Sequence, residues 1–100
     1  MWKPSEKSAL CSLACQHIWN EVAEANGVPA ALSCVVNGYA NIGEKISADS
    51  RIPLVSATGS TRMGKAVGAT VGARLGRALL ELGGNNAIII TPDADLDMVV

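Results

Sequence analysis

The segment Ile52-Pro-Leu-Val-Ser-Ala-Thr-Gly-Ser-Thr-Arg-Met-Gly64 is an apolar run that breaks into a glycine-bounded turn and continues in a helical register. A strand that feeds a helix through Gly59-x-x-x-x-Gly64 exposes the first free N–H groups of that helix, with their partial positive charge, above the strand end. Such an end seats a phosphate. Further along, Leu79-Leu-Glu-Leu-Gly-Gly84 sets a single carboxylate among apolar residues just before a glycine pair. The two segments together predict a nucleotide site with an acid/base residue beside it.

The rest of the chain repeats the alternation of strand and helix. Trp2 and Lys3 end a first strand, and Pro4-Ser-Glu-Lys turns toward Ser8, a predicted helix N-cap. Leu10, Leu13, Ala14, Ile18, Val22 and Ala25 then recur at helical spacing until Gly27 and Pro29 close the element. Leu32 to Val36 reads as a short buried strand ended by Asn37-Gly38, and Ile42 to Ala48 as a short helix. The next strand runs from Ile52 to Thr58 and the next helix from Thr61 to about Leu75. Ala78 to Leu82 and Ala87 to Ile90 are two further strands, and a helix capped by Asp93 runs to Val100. This order predicts an α/β fold, a partial doubly wound (Rossmann-like) parallel sheet with helices on both faces. Residues 1–100 read as a slice of one layered domain, cut at both ends.

Composition narrows the function. A chain of 100 residues that is 49 % apolar hides only roughly two-thirds of its surface on folding, so some of its faces await partners. A formal charge of -1 with no Lys/Arg cluster gives no field for nucleic acid. No apolar run approaches the ~20 residues of a membrane span, and the N-terminus lacks the pattern of a signal peptide, so a cytoplasmic protein is expected. Cys11, Cys15 and Cys34 are odd in number and lie in apolar periodic segments, which predicts buried thiols rather than a disulfide framework. His17 falls six residues after Cys11, off the face that Cys11 and Cys15 share, so no metal site is expected.

Three elements carry the chemistry. The glycine turn lacks the G-x-G-x-x-G spacing of the usual dinucleotide fingerprint, and it misses a phosphate loop by one residue, because Ala66 follows Gly64-Lys65 where a hydroxyl would hold Mg²⁺. Glu81, flanked by Leu80 and Leu82 in a strand, is expected to be desolvated and so to serve as a general base near neutral pH. Gly83 and Gly84 behind it admit a backbone or ligand closely. Lys3 and Glu6 straddle a turn at another strand end, the side on which open parallel sheets bind ligands. A carboxylate there accepts from ribose hydroxyls and repels a 2′-phosphate, which favours NAD over NADP.

Trp2-Lys-Pro-Ser-Glu6, Thr58-Gly-Ser-Thr-Arg-Met-Gly64 and Leu80-Glu-Leu-Gly-Gly84, in this order and at these intervals, resemble the NAD-binding domain of aldehyde dehydrogenases over essentially the whole chain. Pro53-Leu-Val-Ser56 and Gly83-Gly-Asn-Asn-Ala-Ile88 resemble the α-aminoadipic-semialdehyde (antiquitin-like) branch. The resemblance implies that Lys3 and Glu6 bind the adenosine ribose, that Gly59, Ser60 and Gly64 form the pyrophosphate turn with Ser60 on the phosphate, and that Leu82 lies along the nicotinamide half. It further implies that Glu81 activates water for thioester hydrolysis, that the cofactor is NAD, that the substrate is a small-molecule aldehyde such as a semialdehyde, and that the complete protein is a homo-oligomer, a tetramer.

The family's nucleophilic cysteine would fall past Val100, and Cys11, Cys15 and Cys34 lie away from the Glu81 motif. The 100-residue piece alone is therefore expected to be inactive. Two positions depart from the family's pattern. Tyr39 stands where a second glycine follows Gly38 on the adenine side, and Ala57 replaces a Phe before Thr58, a loss that costs about 3–5 kcal/mol where nothing fills the space. Two other readings stay open: a non-catalytic piece that binds nucleotide or pairs with another subunit through its sheet edges, and a phosphate-loop NTPase.

Overall fold

A computed structural model describes residues 1–99. Its centre is a strand–helix–strand unit: β1 (Leu54–Gly59), α3 (Thr61–Ala73) and β2 (Arg77–Leu82). Before it come α1 (Ala9–Ala25) and α2 (Ala40–Ala48), and after it α4 (Leu96–Val99). The two strands pair in parallel, from Leu54 beside Arg77 to Gly59 beside Leu82. A helix that connects parallel neighbours must pack back on the sheet, and α3 packs against both strands.

Register sorts the side chains onto two faces. Val55, Ala57 and Gly59 of β1 share a face with Ala78, Leu80 and Leu82 of β2, and α3 covers it. Val55 and Val71 are the buried apolar side chains at this contact. The opposite face carries Leu54, Ser56 and Thr58 beside Arg77, Leu79 and Glu81, all exposed.

The ends of the helices follow backbone hydrogen-bonding needs. Past α1, the Gly27 N–H donates to Glu24 O and the Val28 N–H to Ala23 O, with Gly27 at φ +65°, the left-handed residue this double bond requires. The end of α3 has the same pattern, Leu75 to Gly72 and Gly76 to Val71, but there Leu75 itself takes φ +59°. Arg74 ties this end to its surroundings through the carbonyls of Ser47 and Ile52.

A second sub-assembly surrounds Trp2. The Trp2 N–H donates to Cys34 O at 2.7 Å and the Val36 N–H to Trp2 O at 2.9 Å, forming one parallel bridge between Trp2 and Val35. Along this bridge α1 is held by Ser33 Oγ donating to Gln16 Oε1 and by the buried Ser12 hydroxyl near Asn37 Oδ1.

Several expected elements differ. The strand over Leu32 to Val36 reduces to the single bridge, and Leu32 is exposed rather than buried, because only Trp2 supplies ladder partners. Ala87 to Ile90 is not a strand: no described segment pairs with it, and Ile89 is 90 % exposed. The last helix begins at Leu96 rather than after Asp93, since the Asp95 carboxylate accepts from the Asp97 N–H; its expected continuation through Val100 lies outside the described residues. Ser8 occupies the N-cap position of α1, yet its hydroxyl donates to Ser5 O and makes no cap bond.

The cysteines also depart from expectation. Cys11 and Cys15 are exposed, on a stripe of α1 that also carries the exposed Ile18 and Val22. Cys34 is half-buried, its thiol donating to Ala31 O. The radius of gyration of 17.6 Å exceeds the about 13 Å of a compact domain of this length, in keeping with these open apolar faces. Among the described residues no group of three or more His, Cys, Asp or Glu is placed to hold a metal ion, and no helix is long and apolar enough to cross a membrane.

Candidate functional site

Gly59 ends β1, and the next residue, Ser60, caps α3: its hydroxyl oxygen accepts from the Met63 N–H at 3.2 Å. Ser60 O also accepts from the Gly64 N–H at 2.9 Å. These bonds satisfy the third and fourth N–H groups of the helix start. The N–H groups of Thr61 and Arg62 have no intrahelical acceptor, as the first turn of any helix dictates. The first turn holds no acidic side chain and carries the exposed Arg62, so nothing there competes with an incoming anion. Since Ser60 Oγ only accepts in the cap, its O–H proton remains available to donate.

The sheet brings Glu81 to this turn. Thr58 and Glu81 are register partners, as are Gly59 and Leu82. With adjacent strands about 4.8 Å apart and about 3.3 Å per residue, the backbone of Glu81 lies about 8 Å from that of Ser60. Both segments thus end at the carboxyl edge of the parallel pair, where open α/β sheets bind ligands.

The expected desolvation of Glu81 does not occur. Leu80 and Leu82 turn toward Gly68 and Gly64 of α3, and strand alternation sends Glu81 to the other face, where it is exposed. Flanking leucines do not bury a strand residue; its own face decides. Gly64, in contrast, is buried under Leu82.

Lys3 and Glu6 belong to the Trp2 sub-assembly. Lys3 Nζ donates to Pro4 O at 2.8 Å, and its alkyl chain runs beside Gly43 of α2. Glu6 is exposed in the short 3₁₀ turn Glu6–Ser8. Among the described residues no hydrogen bond joins either to the Ser60 turn; α2 links the two regions, touching Lys3 at Gly43 and held at Ser47 by Arg74. Tyr39 is exposed at the start of α2. The free N–H groups expected at the helix start are those of Thr61 and Arg62, while the pairing of Thr58 with Glu81 is a matter of register that the sequence does not show.

Among the described residues the large pKa displacement lies elsewhere. Asp49, in the turn before β1, accepts from the side chain and backbone N–H of Arg51, which lowers its carboxyl to about 2. This pair organises the amino end of β1, away from the Ser60 turn.

Comparison with known proteins follows the same outline. The sequence model of the aldehyde dehydrogenase family matches residues 1–100. The chain is 48 % identical over 98 residues to aldehyde dehydrogenase family 7 member B4 of Arabidopsis thaliana and 47 % identical over its whole length to alpha-aminoadipic semialdehyde dehydrogenase of Bos taurus. It spans 19 % of the length of each of these relatives. Among solved structures, an NAD-dependent aldehyde dehydrogenase from Sinorhizobium meliloti aligns with TM-score 0.72 at 35 % identity, covering 97 % of this chain and 19 % of that one. An aldehyde dehydrogenase C mutant from Pseudomonas syringae, solved with NAD⁺ and octanal, aligns with TM-score 0.71 at 34 % identity over 93 % of this chain and 19 % of its own. The parallel strand–helix–strand unit, the capped turn at its carboxyl edge and the full-length family match together establish that this chain belongs to the aldehyde dehydrogenase family.

Proposed function

We infer that this chain supplies part of the NAD-binding domain of an NAD-dependent aldehyde dehydrogenase, an enzyme that oxidises an aldehyde, such as a semialdehyde, to the acid. The observation that carries this reading is the register pairing of Thr58 with Glu81, which brings the backbone of Glu81 to the same sheet edge as a helix start that has open N–H groups and a donating Ser60 hydroxyl. That donor set fits the diphosphate of a dinucleotide: neutral and cationic donors, no acid in the first turn, and a helix dipole pointing at the anion.

On this reading Ser60 donates to the diphosphate with the amides at the turn after Gly59, and Lys3 and Glu6 hold the adenosine ribose hydroxyls. The backbone at Leu82 borders the nicotinamide half. Bound there, NAD⁺ supplies the hydride acceptor. Glu81 takes a proton from water as that water attacks an enzyme-bound acyl group, and its exposed position gives the water access. The acylated cysteine of such a reaction is not one of Cys11, Cys15 or Cys34: the first two project from α1 and the third lies beside the Trp2 bridge, none of them on the strands that end at this site. The relatives named for α-aminoadipic semialdehyde favour a semialdehyde substrate.

The test is calorimetric titration of the purified full-length protein with NAD⁺, with Mg-ATP alongside. Saturable binding of NAD⁺ and none of Mg-ATP is expected, and Ser60→Ala weakens it by about tenfold, the scale of one hydrogen bond to a charged group. Mg-ATP binding without NAD⁺ binding would replace this reading with a nucleotide triphosphatase, and binding of neither would leave a non-catalytic domain.

A further inference from the structure

We propose that Gly64 is a positioning residue for the cofactor site, acting through Leu82 rather than by contact with the diphosphate. The absent side chain leaves a notch on the first turn of α3, Leu82 seats in it, and that seat fixes where β2 presents Glu81 relative to the Ser60 turn. The inference rests on the dinucleotide reading above and adds to it how the two halves of the site are held in register.

Three observations carry it. Gly64 is buried, and its N–H is already given to Ser60 O at 2.9 Å, so it has neither the exposure nor the free donor that a ligand contact needs. A Cβ at this position would lie 2.5 Å from Leu82 Cδ1 and 3.0 Å from Cγ, and closer still to Cδ2, distances at which the Leu82 side chain, 39 % exposed, has to shift from its place over Gly64. Leu82 is the register partner of Gly59, so the seated residue is bonded directly to Glu81 and paired across the sheet with the residue preceding Ser60.

The neighbouring glycines provide internal controls. At Gly68 a Cβ would stand 3.4 Å from Leu80 Cδ1, an ordinary contact, and at Gly59 it would meet only the methyl end of Met63, at 2.8 Å, which can swing aside. Of these three glycines, only Gly64 has a neighbour from β2 inside ordinary contact distance. An added methyl there displaces Leu82 from this seat.

The experiment compares the full-length protein with Gly64→Ala, Gly68→Ala, Leu82→Ala and the double variant Gly64→Ala/Leu82→Ala, reading the NAD⁺ dissociation constant by calorimetry and the fold by circular dichroism. Overpacking of a well-filled contact predicts a rise of about tenfold or more for Gly64→Ala, a change within about twofold for Gly68→Ala, and recovery of most of the loss in the double variant. A folded Gly64→Ala protein that binds NAD⁺ like wild type overturns the inference, and so does a loss that Leu82→Ala fails to relieve, which would place Gly64 on the ligand instead. Should Gly64→Ala not fold, Leu82→Ala alone decides: it empties the notch without a clash and is expected to weaken NAD⁺ binding at least threefold, unchanged binding sinking the idea. Failure of the wild-type protein itself to bind NAD⁺ is the separate outcome that removes the dinucleotide reading and this inference with it.

Discussion

Arg74, just past the last turn of α3, donates its Nε–H to the carbonyl of Ser47 near the end of α2, 2.8 Å away. Its Nη2 donates to Ile52 O at 2.7 Å, just ahead of β1. One guanidinium thus fastens the end of a helix, the end of another and the approach to a strand. The fork geometry makes this possible, because two donors leave the same planar group in fixed directions.

Arg74→Met is therefore expected to destabilise the protein by about 2–3 kcal/mol, the scale of losing charge-assisted hydrogen bonds to partly buried carbonyls. Arg74→Lys recovers only part, since an ammonium reaches one carbonyl and not both. Urea denaturation of the two variants checks this, and a Lys variant as stable as wild type would show that the fork is not needed.

The capped ends of the two longer helices make a second comparison. Gly27 and Leu75 occupy the same left-handed position in the same double hydrogen-bond pattern, yet only the first is a glycine. Leu75 is 94 % exposed, so its side chain gains little from packing to offset a conformation that costs a residue with a Cβ about 1–2 kcal/mol. Leu75→Gly is expected to raise stability by about 1 kcal/mol, after the added freedom of the unfolded chain is set against it. Thermal melting of the variant reads the sign directly, and a lower midpoint would contradict it.

These helix ends also show how far the sequence speaks. Gly27 announces the end of α1 because glycine is the residue that the left-handed position selects. Leu75 announces nothing, and the expected helix ran on to it. The strand–turn–helix at Gly59 and Ser60 was legible because glycine, a capping hydroxyl and an aliphatic run agree at one place. Ala87 to Ile90 reads as a strand for its isoleucines, but a strand exists only with a neighbour to pair with, and no local pattern names that neighbour. Glu81 was legible as a candidate and misjudged in its environment, because burial is set by which face of β2 the α3 helix covers, a tertiary fact absent from the flanking leucines.

Asp49 and Arg51 make a pH prediction. The Arg51 guanidinium and backbone N–H hold the Asp49 carboxyl down at about 2, below its unfolded value of 3.8. A carboxyl lowered by folding contributes stability above its unfolded value and loses that contribution as pH falls through the folded one. The turn before β1 should therefore weaken between about pH 4 and pH 2, with no change from this pair at neutral pH. Asp49→Asn is expected to flatten the acid limb of a stability profile in that window. A profile of the variant that falls as steeply as wild type would place the acid sensitivity in other carboxylates.

Glu81→Gln tests the chemistry assigned to the carboxyl edge of the sheet. Glutamine keeps the size of the side chain and its place beside Thr58 on the open face of β2, but it does not accept a proton from water at neutral pH. If Glu81 serves only to activate water for release of the acyl group, the steps before that release proceed and those after it stall. The full-length variant is therefore expected to give a burst of NADH close to one per active site, followed by a steady rate lowered by about 10²–10⁴, the usual contribution of a general base. Because the side chain is exposed and its replacement isosteric, the melting midpoint should not move. A wild-type steady rate would remove Glu81 from the role, and loss of the burst together with the steady rate would move it to an earlier step, one in which the carboxylate helps to form the acyl group rather than to release it.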